Sequence, residues 1–213
     1  MKTWFSEIGL LCLRAVVGLA AALTLVACSK DSSLSGPNSM QSDTEYLALG
    51  WKQFEVQRYD LAATSFTNAY AAASTPAIRS EALEGRGWSS MYKRDLSKAN
   101  TDFAAAIATT GIPADVLDDA RAGVSFTLYA LNMYADAASY ASAALTDKPS
   151  YAFTHDAKVT AKRLRLLLAQ SYYANGQFTL AAAQLDLVDP ARAPHSADPT
   201  ILLGNITAAL NSL

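Results

Sequence analysis

The polar and apolar positions of this chain change pattern three times. Residues Ala15 to Ala27 form an uninterrupted, uncharged apolar run of 13 residues. Ser29 to Ser42 shows no apolar periodicity and holds six serines with Gly36 and Pro37. From Asp43 onward apolar residues recur three and four positions apart, as in Tyr46, Leu49, Gly50 and Phe54, or Tyr59, Ala62, Phe66 and Ala69. That spacing places side chains on one face of an α-helix. Short polar breaks such as Val56-Gln57-Arg58-Tyr59, Tyr92-Lys93-Arg94-Asp95 and Ala174-Asn175-Gly176-Gln177 separate the helices and predict tight turns. Near the end, Asp198-Pro199-Thr200 is a helix start, an N-cap followed by proline in the first turn. Ile201, Leu202, Ile206 and Leu210 then fall on one side of the helix it opens.

The helical part repeats. Gly50-Trp51 returns 37 positions later as Gly87-Trp88, and Ala62, Phe66 and Ala69 return at the same interval as Ala99, Phe103 and Ala106. Ala99 and Ala106 return 38 positions on as Ala137 and Ala144, and a further 44 positions on as Ala181 and Val188. Asp147 to Asp156, with Lys148-Pro149-Ser150, accounts for the longer last interval as a loop insertion. Small residues at Gly50, Ala62 and Ala69 allow two antiparallel helices to approach closely, while Leu49, Tyr59 and Phe66 fill the space between them. One such hairpin cannot bury its apolar face alone, so the units must stack.

These positions resemble the tetratricopeptide repeat, whose usual period is 34 residues. The first unit matches with Tyr46, Leu49, Gly50, Phe54, Tyr59, Ala62, Phe66 and Ala69, and the second with Leu83, Gly87, Leu96, Ala99, Phe103 and Ala106. The third matches with Val124, Ser125, Leu128, Tyr134, Ala137 and Ala144, although Ala141 stands where a bulky residue is usual. The fourth matches with Leu168, Ala169, Tyr172, Phe178, Ala181, Leu185 and Pro190. The resemblance covers 43–190. It implies an all-α fold: a right-handed superhelical array of about four antiparallel helix hairpins, closed by a capping helix within 191–213. It further implies that the first helix of each hairpin lines a concave groove. The groove positions fall on Trp51, Phe54 and Glu55; Trp88, Met91 and Tyr92; Phe126 and Tyr129; and Gln170 and Tyr173. Aromatic side chains with a polar edge suit a partner-binding stripe, because they bury much area for little lost freedom. The same residues suit plain core packing, against neighbouring helices or beneath a C-terminal helix folded into the groove. The lysine and asparagine set with which some family members clamp a terminal carboxylate is missing at the matched positions.

Composition removes other function classes. The chain of 213 residues has 51 % hydrophobic residues, much of it alanine, and a formal charge of −2 with no basic cluster, so nothing marks a nucleic-acid surface. Cys12 and Cys28 both precede the helical region, which leaves it without a disulfide or a thiolate metal site. His155 and His195 have no partner at a metal-ligand spacing and read as surface residues. Gly85-Arg86-Gly87 lacks the preceding strand of a phosphate loop. Asp118-Asp119 reads as a pair of dipole-favoured acids near a helix start. Asn205-Ile206-Thr207 matches a glycosylation sequon by coincidence. No cofactor, metal or catalytic residue is expected, and a buried polar cluster is the feature that would speak for an enzyme instead.

The leader completes the expectation. Thirteen apolar residues after Lys2 and Arg14 are too few for a bilayer span, which needs roughly 20, and suit a secretory signal. The run ends in Leu25-Val26-Ala27-Cys28, which resembles the lipobox of bacterial lipoproteins. That resemblance implies a signal peptide over 1–27, lipid on Cys28, and a flexible tether over 28–42 reaching roughly 20 Å. Ser29 in place of aspartate favours the outer membrane, facing the periplasm. The expected function is a membrane-anchored adaptor holding a protein or peptide in its groove. The alternative is capture of a small apolar ligand or glycan in an enclosed pocket of a few hundred Å³.

Overall fold

A computed structural model describes residues 41–213. The leader, Cys28 and most of the tether lie outside the described residues. Among the described residues the regular structure is helical: α1 (Asp43–Glu55), α2 (Tyr59–Ala72), α3 (Pro76–Tyr92), α4 (Leu96–Ile107), α5 (Ala114–Ala130), α6 (Tyr134–Asp147), α7 (Ala161–Ala174), α8 (Phe178–Val188) and α9 (Pro199–Asn211), with a 3-10 turn at Pro190–Arg192. No helix among them is long and apolar enough to cross a membrane.

Local chemistry sets the helix ends. Ser42 and Glu45 form a reciprocal capping box at α1, and Thr75, Asp95, Thr160 and Asp198 each accept a backbone N–H from the first turn of the helix they precede. The four hairpin turns share one geometry. Gln57, Arg94, Asn132 and Gly176 all take a left-handed φ of 61° to 72°, and these positions follow the repeat intervals. At each, two backbone bonds close the helix end, as when Arg58 N–H donates to Gln53 O and Gln57 N–H to Phe54 O, both at 2.8 Å. Such a turn reverses the chain in two or three residues and makes each pair antiparallel.

The hairpins α1/α2, α3/α4, α5/α6 and α7/α8 stack in chain order. The inner helices α1, α3, α5 and α7 touch one another in succession, whereas the outer helices α2, α4, α6 and α8 do not touch one another. Crowding on one side and spreading on the other curves the array, with the inner helices on the concave face.

Two glycine pairs permit the tight stacking. Phe66 lies between Gly50 of its own hairpin and Gly85 of the next, where an added Cβ would sit 2.6 and 2.4 Å from the ring. Phe103 lies likewise between Gly87 and Gly123, at 2.8 and 2.2 Å. Arg86 adds a two-pronged bond to Asp102 across α3/α4, at 3.0 and 2.7 Å.

Helix α9 covers the last hairpin, with Leu202, Ile206 and Ala209 buried against the cluster of Leu166, Ala169, Ala181 and Leu185. The expected apolar face needs a correction: Ile201 points outward and is 54 % exposed, and Ala209 takes its place. With Leu203 also exposed, the outer side of this cap is not uniformly polar.

Candidate functional site

The insertion between α6 and α7, residues 148–160, does not hang from the array. It folds back as a tongue onto the concave face. Phe153 N–H donates to Val159 O at 2.9 Å and Ala161 N–H to Tyr151 O at 2.6 Å, so the tongue is a narrow hairpin of its own. Its extended arm alternates: Tyr151, Phe153 and His155 turn inward, while Ala152 and Thr154 are exposed. Tyr151 and Phe153 are only 1 % and 2 % exposed.

The inward side chains meet the predicted stripe. Phe153 stacks on Trp88 with centroids 4.4 Å apart, and meets Trp51 and Phe54 edge-on at 6.0 and 6.1 Å. The His155 ring lies parallel to Trp51 at 3.8 Å, and its Nδ1 is 2.9 Å from a Glu55 carboxylate oxygen. Asp156 accepts the Tyr92 hydroxyl. Burial first, and then Asp156, push the Tyr92 hydroxyl well above the ordinary phenol range. Tyr92 also stacks on Tyr59 at 4.9 Å.

The structure therefore divides the ten stripe residues. Trp51, Phe54, Glu55, Trp88 and Tyr92 lie under the tongue. Phe126 is tilted against Trp88 at 6.5 Å, and Met91 packs on the same core. Tyr129 pairs with Tyr134 of its own hairpin at 5.4 Å, and Tyr173 with Phe178 at 5.2 Å. Gln170 is half-buried on α7. The stripe is continuous over the first two hairpins and dissolves toward the last.

Beneath Tyr151 lies a polar group of residues that the sequence reading missed. Glu84 on α3 is buried, and burial, followed by Asp119, Glu81 and Asp115, holds its carboxyl well above the usual range. Asp119 on α5 is pushed up to about 6, chiefly by burial, against the favourable influence of Tyr151 and Lys148. Glu84 Oε1, Asp119 Oδ1, Tyr151 OH and Trp88 Nε1 are all buried, with the Tyr151 hydroxyl against Asp119 and the Trp88 N–H against Glu84. Asp118 and Asp119 thus are not dipole-favoured acids of a first turn. They sit in the second turn, where Asp118 is 3.6 Å from Arg121 and Asp119 faces the tongue. The available signal was Glu84 and Trp88 one helical turn apart, with Asp119 on the first helix of the next unit; nothing in the sequence places Tyr151 over them.

The histidines also need correction. Neither is a plain surface residue: His155 is stacked as described, and the His195 side chain is 5 % exposed, its Nδ1 2.8 Å from Asp186. No group of histidine, cysteine and acidic residues with metal-site geometry occurs among the described residues. An open cleft of about 610 Å³ between α6 and α7, lined in part by Ala138, Ser142, Tyr172 and Gln177, includes none of the stripe residues.

The repeated hairpins, their common turn and the glycine-seated phenylalanines settle the architecture. The chain has a TPR-like fold. Eleven chains of solved structures match it. One is from the crystal structure of the APC/C hetero-tetramer Cut9–Hcn1, at 18 % identity and a TM-score of 0.59, covering 80 % of this chain and 30 % of that one. Another is TTC0263, a thermophilic TPR protein of Thermus thermophilus, at 18 % identity and a TM-score of 0.39, covering 80 % of this chain and all of that one. This chain thus spans less than a third of the length of the Cut9–Hcn1 match, and at such identity the likeness concerns the fold. No protein-family model and no curated protein matches the sequence.

Proposed function

We propose that this chain is a lipid-anchored adaptor of the bacterial cell envelope, attached through Cys28, facing the periplasm from the outer membrane, and holding an extended segment of a partner protein on its concave face. One observation carries the reading. The inner helices already hold an extended peptide, residues 151–155, with alternate side chains seated among Trp51, Phe54 and Trp88. Extended segments are read in this way, with alternate side chains filling pockets. TPR-like arrays generally mediate association between proteins, which supports an adaptor over an enzyme. The Glu84–Asp119 pair is the feature that could support acid–base chemistry, but Tyr151 closes over it, and it serves as the floor on which the tongue rests.

The test is site-specific photo-crosslinking in native envelopes. A crosslinkable residue at Thr154 on the tongue, or at Glu55 on its rim, is expected to capture a discrete protein partner, and one at Thr101 on the outer helix α4 is not. Capture from Thr101 alone overturns the groove reading. In the same cells Cys28→Ser is expected to move the chain from the membrane to the soluble fraction, and retention of the variant in the membrane fraction overturns the anchor.

A further inference from the structure

Resting on that adaptor reading, we propose that the concave face recognises a partner segment with the chemistry of the tongue: a cation, then aromatic side chains at alternate extended positions, then a planar N–H donor and an acid. The tongue is the built-in occupant that such a partner displaces. Its own residues spell the pattern, Lys148-x-x-Tyr151-x-Phe153-x-His155-Asp156.

Each position has a complementary seat. At the first end the concave face is acidic: Glu81 and Glu84 come from α3, Asp115, Asp118 and Asp119 from α5, and Arg121 offsets only part of this charge. Lys148 enters that field, its ammonium 5.7 Å from the Tyr151 ring. The middle seat has a stacking wall, Trp88, and two edges, Trp51 and Phe54, an arrangement that fits a flat ring better than an aliphatic side chain. The third seat pairs the Trp51 face with the Glu55 carboxylate, and so takes a flat group that stacks and donates a hydrogen bond. At the far end the Tyr92 hydroxyl donates to Asp156, and Arg163 also acts on that aspartate.

One feature makes the tongue displaceable. Three of its backbone bonds, Tyr151 to Lys148, Phe153 to Val159 and Val159 to Asp156, close within the tongue, and the bond from Ala161 N–H to Tyr151 O ties only its base to α7, so it can leave as a unit between the fixed ends of α6 and α7. Its docking sets the Tyr151 hydroxyl against Asp119, above the Glu84 and Trp88 pair on α3.

The experiment uses the full chain with residues 149–158 replaced by a flexible Gly/Ser linker. The probe is a fluorescent synthetic peptide spanning Lys148 to Lys158, followed by anisotropy. Saturable binding is expected, weakened at least about 30-fold when the peptide's Tyr and Phe are alanine, the size of a binding hot spot. The unaltered chain is expected to bind the peptide at least about 10-fold more weakly, because its own tongue competes. Equal binding of the two peptides to the linker variant overturns the proposed pattern but leaves a peptide-holding adaptor standing. Failure of a folded linker variant to bind any extended peptide overturns both. If the linker variant loses its helical circular dichroism, protease sites placed at both ends of the tongue in the full chain replace it. Exchange of the cut tongue for labelled peptide then supports the proposal, and a cut tongue that never exchanges, or whose release unfolds the array, overturns it.

Discussion

Phe103 shows how closely single residues set this array. It is fully buried, and Gly87 and Gly123 press on its two sides from successive hairpins. An alanine at position 123 would bring a Cβ to 2.2 Å from the ring, and Gly87 opposite leaves the ring no room to retreat. Alanine gains about 0.5–1 kcal/mol of helix stability over glycine, whereas overpacking a filled core costs about 1–3 kcal/mol. Gly123→Ala is therefore expected to lose about 1–2 kcal/mol net, seen as a lower urea midpoint at unchanged slope. Gly204→Ala is the control: no atom lies within 4 Å of its added Cβ, and at this exposed position α9 gains the helix propensity alone. A stabilised Gly123→Ala variant would contradict the glycine-seat account. In the sequence Gly50, Gly87, Phe66 and Phe103 were legible because they repeat at one interval. Gly85 and Gly123 also stand 38 positions apart, but their role was not legible, because the ring each one seats belongs to the preceding hairpin and only stacking reveals it.

Among the elements, the tongue is where stability and pH meet. Glu84 and Asp119 hold their protons more tightly folded than unfolded, so between the unfolded carboxyl range near 4 and about 6 for Asp119 the folded chain binds more protons. Stability contributed by this pair is present below the unfolded value and is lost as pH rises through the folded one. Asp43, Glu45 and Asp186, whose hydrogen bonds lower their values, act oppositely and lose their contribution in acid. A comparison with a variant separates the two. Asp119→Asn, which cannot ionise, is expected to gain stability relative to the parent chain, and to gain more at about pH 7.5 than at about pH 4.5, in urea titrations at both values. An equal effect at both pH values would show that Asp119 does not titrate in the folded chain over that range.

The insertion itself was legible as extra length between two repeats. Its destination was not. Local sequence reads Lys148-Pro149-Ser150 as loop, and Phe153 and Val159 carry no helical period, so nothing along the chain announces that they belong to the core. What places them there is the concave face of α1 and α3, which would otherwise expose Trp51, Phe54 and Trp88 to water. Their rings bury against Phe153 and His155 instead, and hydrophobic burial favours any segment long enough to reach them.

For the array taken together, an open stack must end somewhere, and α9 ends this one. Leu202 is fully buried against the last hairpin, and Leu166 and Leu185 are the surfaces it covers. Leu202→Asp places an unpaired charge there, which costs about 3–5 kcal/mol where no partner exists. Helix α9 is therefore expected to detach while hairpins one to three persist. Limited proteolysis should then cut first in 189–198, with increased binding of an apolar dye and most of the circular dichroism retained. Loss of all helical signal would mean instead that the array folds as one cooperative unit through its cap.

Helices, turns, the hairpin repeat and the terminal cap could all be read along the chain, because capping, periodicity and left-handed turn positions are properties of neighbouring residues. What the concave face holds could not, and it follows from packing in three dimensions. Trp51 and Trp88 have the same helical positions whether a groove stands open or a tongue fills it, and Glu84, Asp119 and Tyr151 are far apart along the chain. Their meeting depends on the curvature of three stacked hairpins and on a loop just long enough to return across them, and neither is encoded in any local pattern.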